Sequence, residues 1–310
     1  NARAKKLKKL LPLNLNKDLI NWLEQSNIDG DILDGGFIYN GSLVRGDKKN
    51  KSIHFYLNMD EGELFFNPNY PKLENIDGLW MMNDSILNID LISSFYSGIN
   101  LDSTKIKLNR LDVPPSLSFK SKLSGSLSDV WDVFLKTPMV EKGRKKLKTF
   151  NFNGELQSSD LFFKIPINRS KEDIDIQKVD YFDISFSTLL SDVEFEEKNH
   201  NLLIKNINGE ISFDKENGFK SNMISAFIFD EPLELIFGDD SKGSRELSFK
   251  NIYMDAKFDL SIDKFSEWSG RNFNPILHGK TSFGVSFESV PELSKFYFNS
   301  NMKGVSFNLP

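Results

Sequence analysis

Apolar and polar side chains alternate along most of the chain. Ile53, Phe55, Leu57 and Met59 are separated by His54, Tyr56 and Asn58, and Leu64 and Phe66 follow after Gly62. The same period of two recurs at Leu87/Ile89/Leu91, Ile106/Leu108, Leu117/Phe119, Phe150/Phe152 and Leu161/Phe163/Ile165. It continues at Ile184/Phe186, Val193/Phe195, Leu202/Ile204, Ile211/Phe213, Phe227/Phe229 and Leu233/Leu235/Phe237. The last third holds Leu247/Phe249, Met254/Ala256/Phe258/Leu260/Ile262, Phe283/Val285/Phe287, Phe296/Phe298 and Val305/Phe307. Alternation of this kind puts the apolar side chains on one face of a strand. It predicts roughly 18 strands, whose other face carries mostly Lys, Asp, Glu, Ser and Asn. Asp34-Gly35-Gly36, Asn40-Gly41, Glu61-Gly62, Asn208-Gly209 and Asn217-Gly218 read as the turns between them.

Helical pattern is scarce. Asn16 is placed to cap a helix over 17–25, Ser128 one over 129–136, and Asp263 one over 264–269. Each contains one Trp: Trp22, Trp131 and Trp268. The segments 72–78 and 203–209 share Asn-Ile-x-Gly at an offset of 131 residues. With the helix spacing, this suggests a large repeated unit of strands and a short crossover. The expected organisation is one elongated segment over 1–310, with approximate units 1–127, 128–262 and 263–310.

Composition sharpens the class. Ala, the best helix former, occurs only at positions 2, 4, 226 and 256, while Phe occurs 28 times. The fold class is therefore all-β. There is no Cys, which removes disulfides, thiolate metal sites and Cys nucleophiles. A net charge of −5 lacks the basic surplus of a nucleic-acid binder. No apolar run reaches the roughly 18–20 residues of a membrane-spanning helix. The absence of an initiator Met and the end at Leu309-Pro310 give the expectation of a segment of a longer protein, with any anchor or export signal outside it.

A sheet with one apolar face must bury that face against something. Three short helices cannot cover so many strands. A sandwich, a closed barrel and an open groove that takes an apolar ligand all meet the requirement.

Several short motifs follow one another along the chain. Leu11-Pro12 precedes a stretch ending near Trp22-Leu23, and Gly35-Gly36 is followed by Gly41-Ser42-Leu43 and Gly46. Next come Phe65-Phe66-Asn67-Pro68-Asn69-Tyr70-Pro71, Ile76-Asp77-Gly78, Asn83-Asp84, Thr137-Pro138-Met139 and Gly154-Glu155-Leu156. Lys164-Ile165-Pro166-Ile167, Ile207-Asn208-Gly209, Gly218-Phe219 and the final Leu309-Pro310 complete the series. In this order the chain resembles the AsmA-like proteins of the Gram-negative envelope, within them the YhdP branch. It departs where Tyr70 stands for the usual Trp and Met139 for the usual Leu.

The resemblance implies a long, curled, strongly twisted sheet of repeated β units around an open hydrophobic groove, with a few short crossover helices. It implies a non-enzymatic conduit for phospholipids between inner and outer membranes, and a periplasmic segment of an inner-membrane-anchored protein. On this reading Phe55, Leu57, Leu87, Ile89, Phe163, Ile165, Phe186, Phe227, Phe229, Leu235, Phe258, Leu260, Phe283 and Val285 line the groove. A lipid leaving a bilayer exposes methylenes at about 0.8 kcal/mol each, of the order of 20 kcal/mol for two chains, so a carrier must offer continuous apolar cover. The alternative is a structural β-sandwich module, an adhesin or an assembly factor for outer-membrane proteins, with no lipid cargo.

Candidate chemistry elsewhere is thin. Asp29, Asp31 and Asp34 are spaced like the start of a calcium loop but lack the Gly and distal Glu. Asp173 and Asp175 share a strand face without a third group, and Gly238-Asp239-Asp240 reads as a solvated hairpin. His54, His200 and His278 lie apart. No nucleophile elbow, phosphate loop or dinucleotide fingerprint occurs, so neither an enzyme nor a cofactor is expected. Two basic clusters, Lys5/Lys6/Lys8/Lys9 and Arg144/Lys145/Lys146/Lys148, either meet anionic headgroups at a groove rim or keep a loop and a β edge solvated.

Overall fold

A computed structural model describes residues 2–9, 28–42, 52–65, 71–136, 144–166, 183–199, 201–239, 252–290 and 293–308. The fold is all-β, as the alternation predicts. The chain divides into two compact units, 1–125 with 160–184, and 126–159 with 185–310.

The first unit is an antiparallel meander. Its strands are β1 (Ala2–Arg3), β2 (Asp29–Asn40), β3 (Ser52–Leu64), β4 (Leu73–Asn83), β5 (Ile86–Tyr96), β6 (Ile99–Asn109) and β7 (Ser116–Ser126). Each from β2 to β7 pairs with the next, and β1 pairs with β2. Part of β9 (Glu155–Pro166) also belongs here, from Asp160 onward.

These strands are longer than the sequence pattern suggests, because several apparent breaks lie inside them. Glu61-Gly62 and Asn208-Gly209, expected as turns, are irregularities in the middle of a strand, and Asp34-Gly35-Gly36 lies within β2. The pairing register shifts next to Leu33, between Met59 and Gly62, between Glu74 and Asp77, and between Asp102 and Lys105. Glu61, Asn75 and Ser103 take φ of 48°, 50° and 50° at these places. Each is a β-bulge, which inserts one residue and bends its strand. Because neighbouring strands bulge at matching heights, the bulges form a transverse crease across the sheet. On either side of it the inward parity changes: Leu57, Met59, then Gly62 and Leu64 on β3, and Ile99, Leu101, then Thr104 and Ile106 on β6.

The second unit repeats the plan. It contains β8 (Phe150–Asn153), β10 (Asp183–Glu197), β11 (Leu202–Asp214), β12 (Gly218–Ser221), β13 (Ile224–Ile228), β14 (Glu231–Asp239), β15 (Ile252–Ser261), β16 (Leu277–Val290), β17 (Leu293–Ser300) and β18 (Val305–Phe307). Pairing is antiparallel throughout, β8–β10–β11, then β12 and β13 side by side on β11 and β14, then β15, β16, and β17 with β18 on β16. Bulges sit at Asp192 (φ 54°) and Asn206 (φ 50°). In the β12/β13 and β17/β18 strands the interruption is a full break.

Three α-helices are described, α1 (Leu127–Lys136), α2 (Arg144–Leu147) and α3 (Ile262–Ser269), besides a 3-10 helix over Ala4–Lys9. The helix expected over 17–25 lies outside the described residues. α1 begins before Ser128, whose Oγ lies 2.7 Å from Ser126 Oγ, so Ser128 is not its cap. The cap of α3 is Ser261 rather than Asp263; its hydroxyl accepts from Lys264 N–H at 3.2 Å. Gly270 ends the helix at φ 66°, a left-handed conformation that costs glycine little.

Candidate functional site

In the first unit the register aligns inward side chains into rows that cross the strands. Phe55, Met82, Leu87, Leu108 and Leu117 form one row, all half-buried. The next holds Leu57, Trp80, Ile89, Ile106 and Phe119, extended by Phe163, whose ring stacks on Phe119 at 4.9 Å. Ile165 shares the inward parity of Phe163. A third row, at the crease, contains Met59, Gly78, Leu91, Thr104 and Ser121, and here burial is deepest, with Met59 0% exposed. Burial therefore deepens towards the crease and relaxes towards the Phe55 row. Such a gradient is what a bent sheet produces when its two halves shield the fold line.

The second unit has equivalent rows. Phe186, Phe213, Phe219 and Phe237 form an aromatic series, with neighbouring centroids 5.5–6.0 Å apart. Ile224, Leu235, Ala256, Val285 and Phe298 align, as do Ala226, Leu233, Phe258 and Phe283. Phe265 of α3 stacks on Phe283 and Phe298 at 6.1 and 6.3 Å, so α3 lies against this apolar face. Trp131 of α1 meets Phe152 edge-on at 4.8 Å and donates its indole N–H to Phe150 O at 3.1 Å.

Two residues expected on this face are placed otherwise, and five others, Leu57, Ile89, Leu260, Phe283 and Val285, are buried in it rather than open to a ligand, Leu260 the deepest. On β13 the inward positions are Ile224, Ala226 and Ile228, so Phe227 points to the opposite face and is 43% exposed. Phe229 is not in a strand. With Asp230 it makes the two-residue turn into β14, at φ 54° and 59°, both positive as a type I′ turn requires. Its ring nevertheless packs against the inward cluster and meets Trp268 at 5.8 Å. Leu260 is inward but only 1% exposed, beside buried Thr281 on β16 and just before α3. Conversely, Trp80 and Met82 sit in the rows although Leu79-Trp80-Met81-Met82 shows no alternation. Their signal is the hairpin turning at Asp84-Ser85, which sets Met82 opposite Leu87 and Trp80 opposite Ile89.

The polar candidates resolve into structural roles. Asp29 pairs with Lys5 at 2.6 Å, Asp31 with Arg3 at 3.4 Å, and Asp34 accepts from Tyr56 Oη at 3.2 Å. Among the described residues no group of three metal-capable side chains converges. His54 lies 2.7 Å from Ser52 Oγ on an outward face, His278 is exposed, and His200, Asp173 and Asp175 lie outside the described residues. Arg144 to Lys148 is not a plain loop: Arg144 opens α2, and its Nε donates to Leu135 O at the end of α1 at 2.7 Å. Lys145 and Lys148 are exposed. Among the described residues no helix is long and apolar enough to cross a membrane.

A family model described as YhdP protein matches residues 1–310. No curated protein matches the chain, and no solved structure does.

Proposed function

Because the chain belongs to the YhdP family, we propose that it is a non-enzymatic phospholipid conduit, a periplasmic segment of a protein anchored in the inner membrane. Acyl chains pass along its apolar face between the inner and outer membranes. The observation that supports this reading is the row running from Leu57 through Trp80, Ile89 and Ile106 to Phe119 and Phe163, one apolar side chain on each successive strand. The half-buried Phe55 row beside it leaves apolar surface within reach of a chain. Apolar contact is non-directional, so a lipid held this way moves without breaking fixed polar bonds.

Photoreactive side chains at Phe55 and Leu87, with outward Asn88 as control, test the reading in cells. Lipid adducts at positions 55 and 87 and none at 88 are expected. Absence of adducts, or equal adducts on both faces, overturns it and favours a packed sandwich.

A further inference from the structure

We propose that Trp80 and Ser94 form a subsite on the apolar face of the first unit that recognises the ester carbonyls of a diacyl lipid. The inference rests on the conduit reading and adds a chemical preference to it. In the pairing of β4 with β5, Gly78 stands opposite Leu91. Trp80 is the next inward residue on one side of that pair. Ser94, beyond the irregularity at Ile92, is the next inward residue on the other. The two thus flank the Gly78–Leu91 pair, where the Leu91 side chain closes over the glycine.

Trp80 is 6% exposed and Ser94 4% exposed, and neither Trp80 Nε1 nor Ser94 Oγ has a hydrogen-bond partner. Buried polar groups in native proteins are nearly always paired, so two orphans on neighbouring strands call for a physical cause. The same face shows that pairing is within its means: Thr104 and Ser121, on β6 and β7, lie 2.6 Å apart and satisfy each other. A Phe and an Ala would keep both positions apolar and leave no orphan.

The chemistry of the missing partner is restricted. An indole N–H only donates, so the partner must accept. The inward neighbours Ile76, Ile89, Leu91 and Leu101 offer no cation, so a phosphate or a free carboxylate would be brought in uncompensated. An uncharged acceptor that travels joined to apolar chains is the ester carbonyl of a diacyl lipid. It reaches the donors as its chains part the apolar side chains around Gly78.

The test compares a diacyl phospholipid with its dialkyl ether counterpart, identical in chains and headgroup, each displacing a fluorescent fatty-acyl probe from the 310-residue chain. The wild type should bind the ester lipid about five- to tenfold more tightly, the scale of one or two hydrogen bonds. Trp80→Phe and Ser94→Ala should each shrink that preference, and the double variant should erase it while still binding the ether lipid. Equal wild-type binding of ester and ether lipids overturns the subsite and leaves the conduit standing; donors satisfied by water would give that result. A preference that survives in the double variant also overturns it. Binding of neither lipid removes the conduit and the subsite together.

Discussion

Asn75 and Asn206, 131 residues apart in the chain, hold the same backbone conformation, each at φ 50°. Each sits at a bulge, each is followed by an inward Ile, and each stands three residues before a Gly that lies against a neighbouring strand: Gly78 against Leu91, Gly209 against Ile224. The short motif shared by the two segments is thus the chemistry of a crease. Asn tolerates positive φ better than other residues with a Cβ. Asn75→Gly and Asn206→Gly should therefore be close to neutral in urea unfolding. Asn75→Val and Asn206→Val should each cost about 1–3 kcal/mol, as expected for a β-branched residue held in a left-handed conformation.

Gly78 is fixed by a different constraint. A Cβ there would lie 2.5 Å from Asp90 O and 2.8 Å from Leu91 Cα, which are backbone atoms that cannot swing away. Gly78→Ala should lower the unfolding free energy by about 1–3 kcal/mol or more, with the loss read by urea titration. A wild-type midpoint would show that β4 and β5 lie farther apart than described.

Leu260 and Phe186 should separate under the same substitution. Leu260→Asp places a carboxylate at a site 1% exposed and should unfold the second unit in thermal melts. Phe186 is only half-buried within its aromatic row. Phe186→Asp should lower the melting temperature by much less, yet abolish lipid adducts at neighbouring inward positions.

Acid should loosen the first unit through Asp112. Its carboxylate accepts from Ser116 Oγ and lies 3.2 Å from Lys164 Nζ, and hydrogen bonds from Ser116 and then Lys164 hold its pKa below the ordinary 3.8. A carboxyl depressed on folding adds stability that is present above pH 3.8 and is lost as pH falls through the lower folded value. Asp112→Asn should flatten the acid limb of a stability–pH profile below about pH 4 and leave its neutral limb parallel to wild type. An unchanged acid limb would assign that loss to other carboxylates.

The strand content and the apolar face were legible in alternation, because a period of two has no other common cause. The crease was not. Glu61-Gly62 and Asn208-Gly209 have the residue types of hairpin turns, since bulges and primed turns both require positive φ. Each bulge therefore divided one strand of 13 residues into two apparent short ones. Phe227 and Phe229 alternate like a strand face, but the turn begins at Phe229, a residue type that gives no turn signal, so the inward parity belongs to Ala226 and Ile228. Trp80 and Met82 were hidden by the apolar outward residues Leu79 and Met81, and only the hairpin register reveals them.

The line of bulges also acts as a lock on alignment. A plain strand that slips by one residue exchanges its faces and can still pair along its whole length. Here the extra residue of each strand must meet that of its neighbour, so a slipped strand would set a straight stretch against a kinked one and lose bonds on both sides. The same feature that bends the sheet thereby guards a long antiparallel chain of similar strands against mispairing with itself.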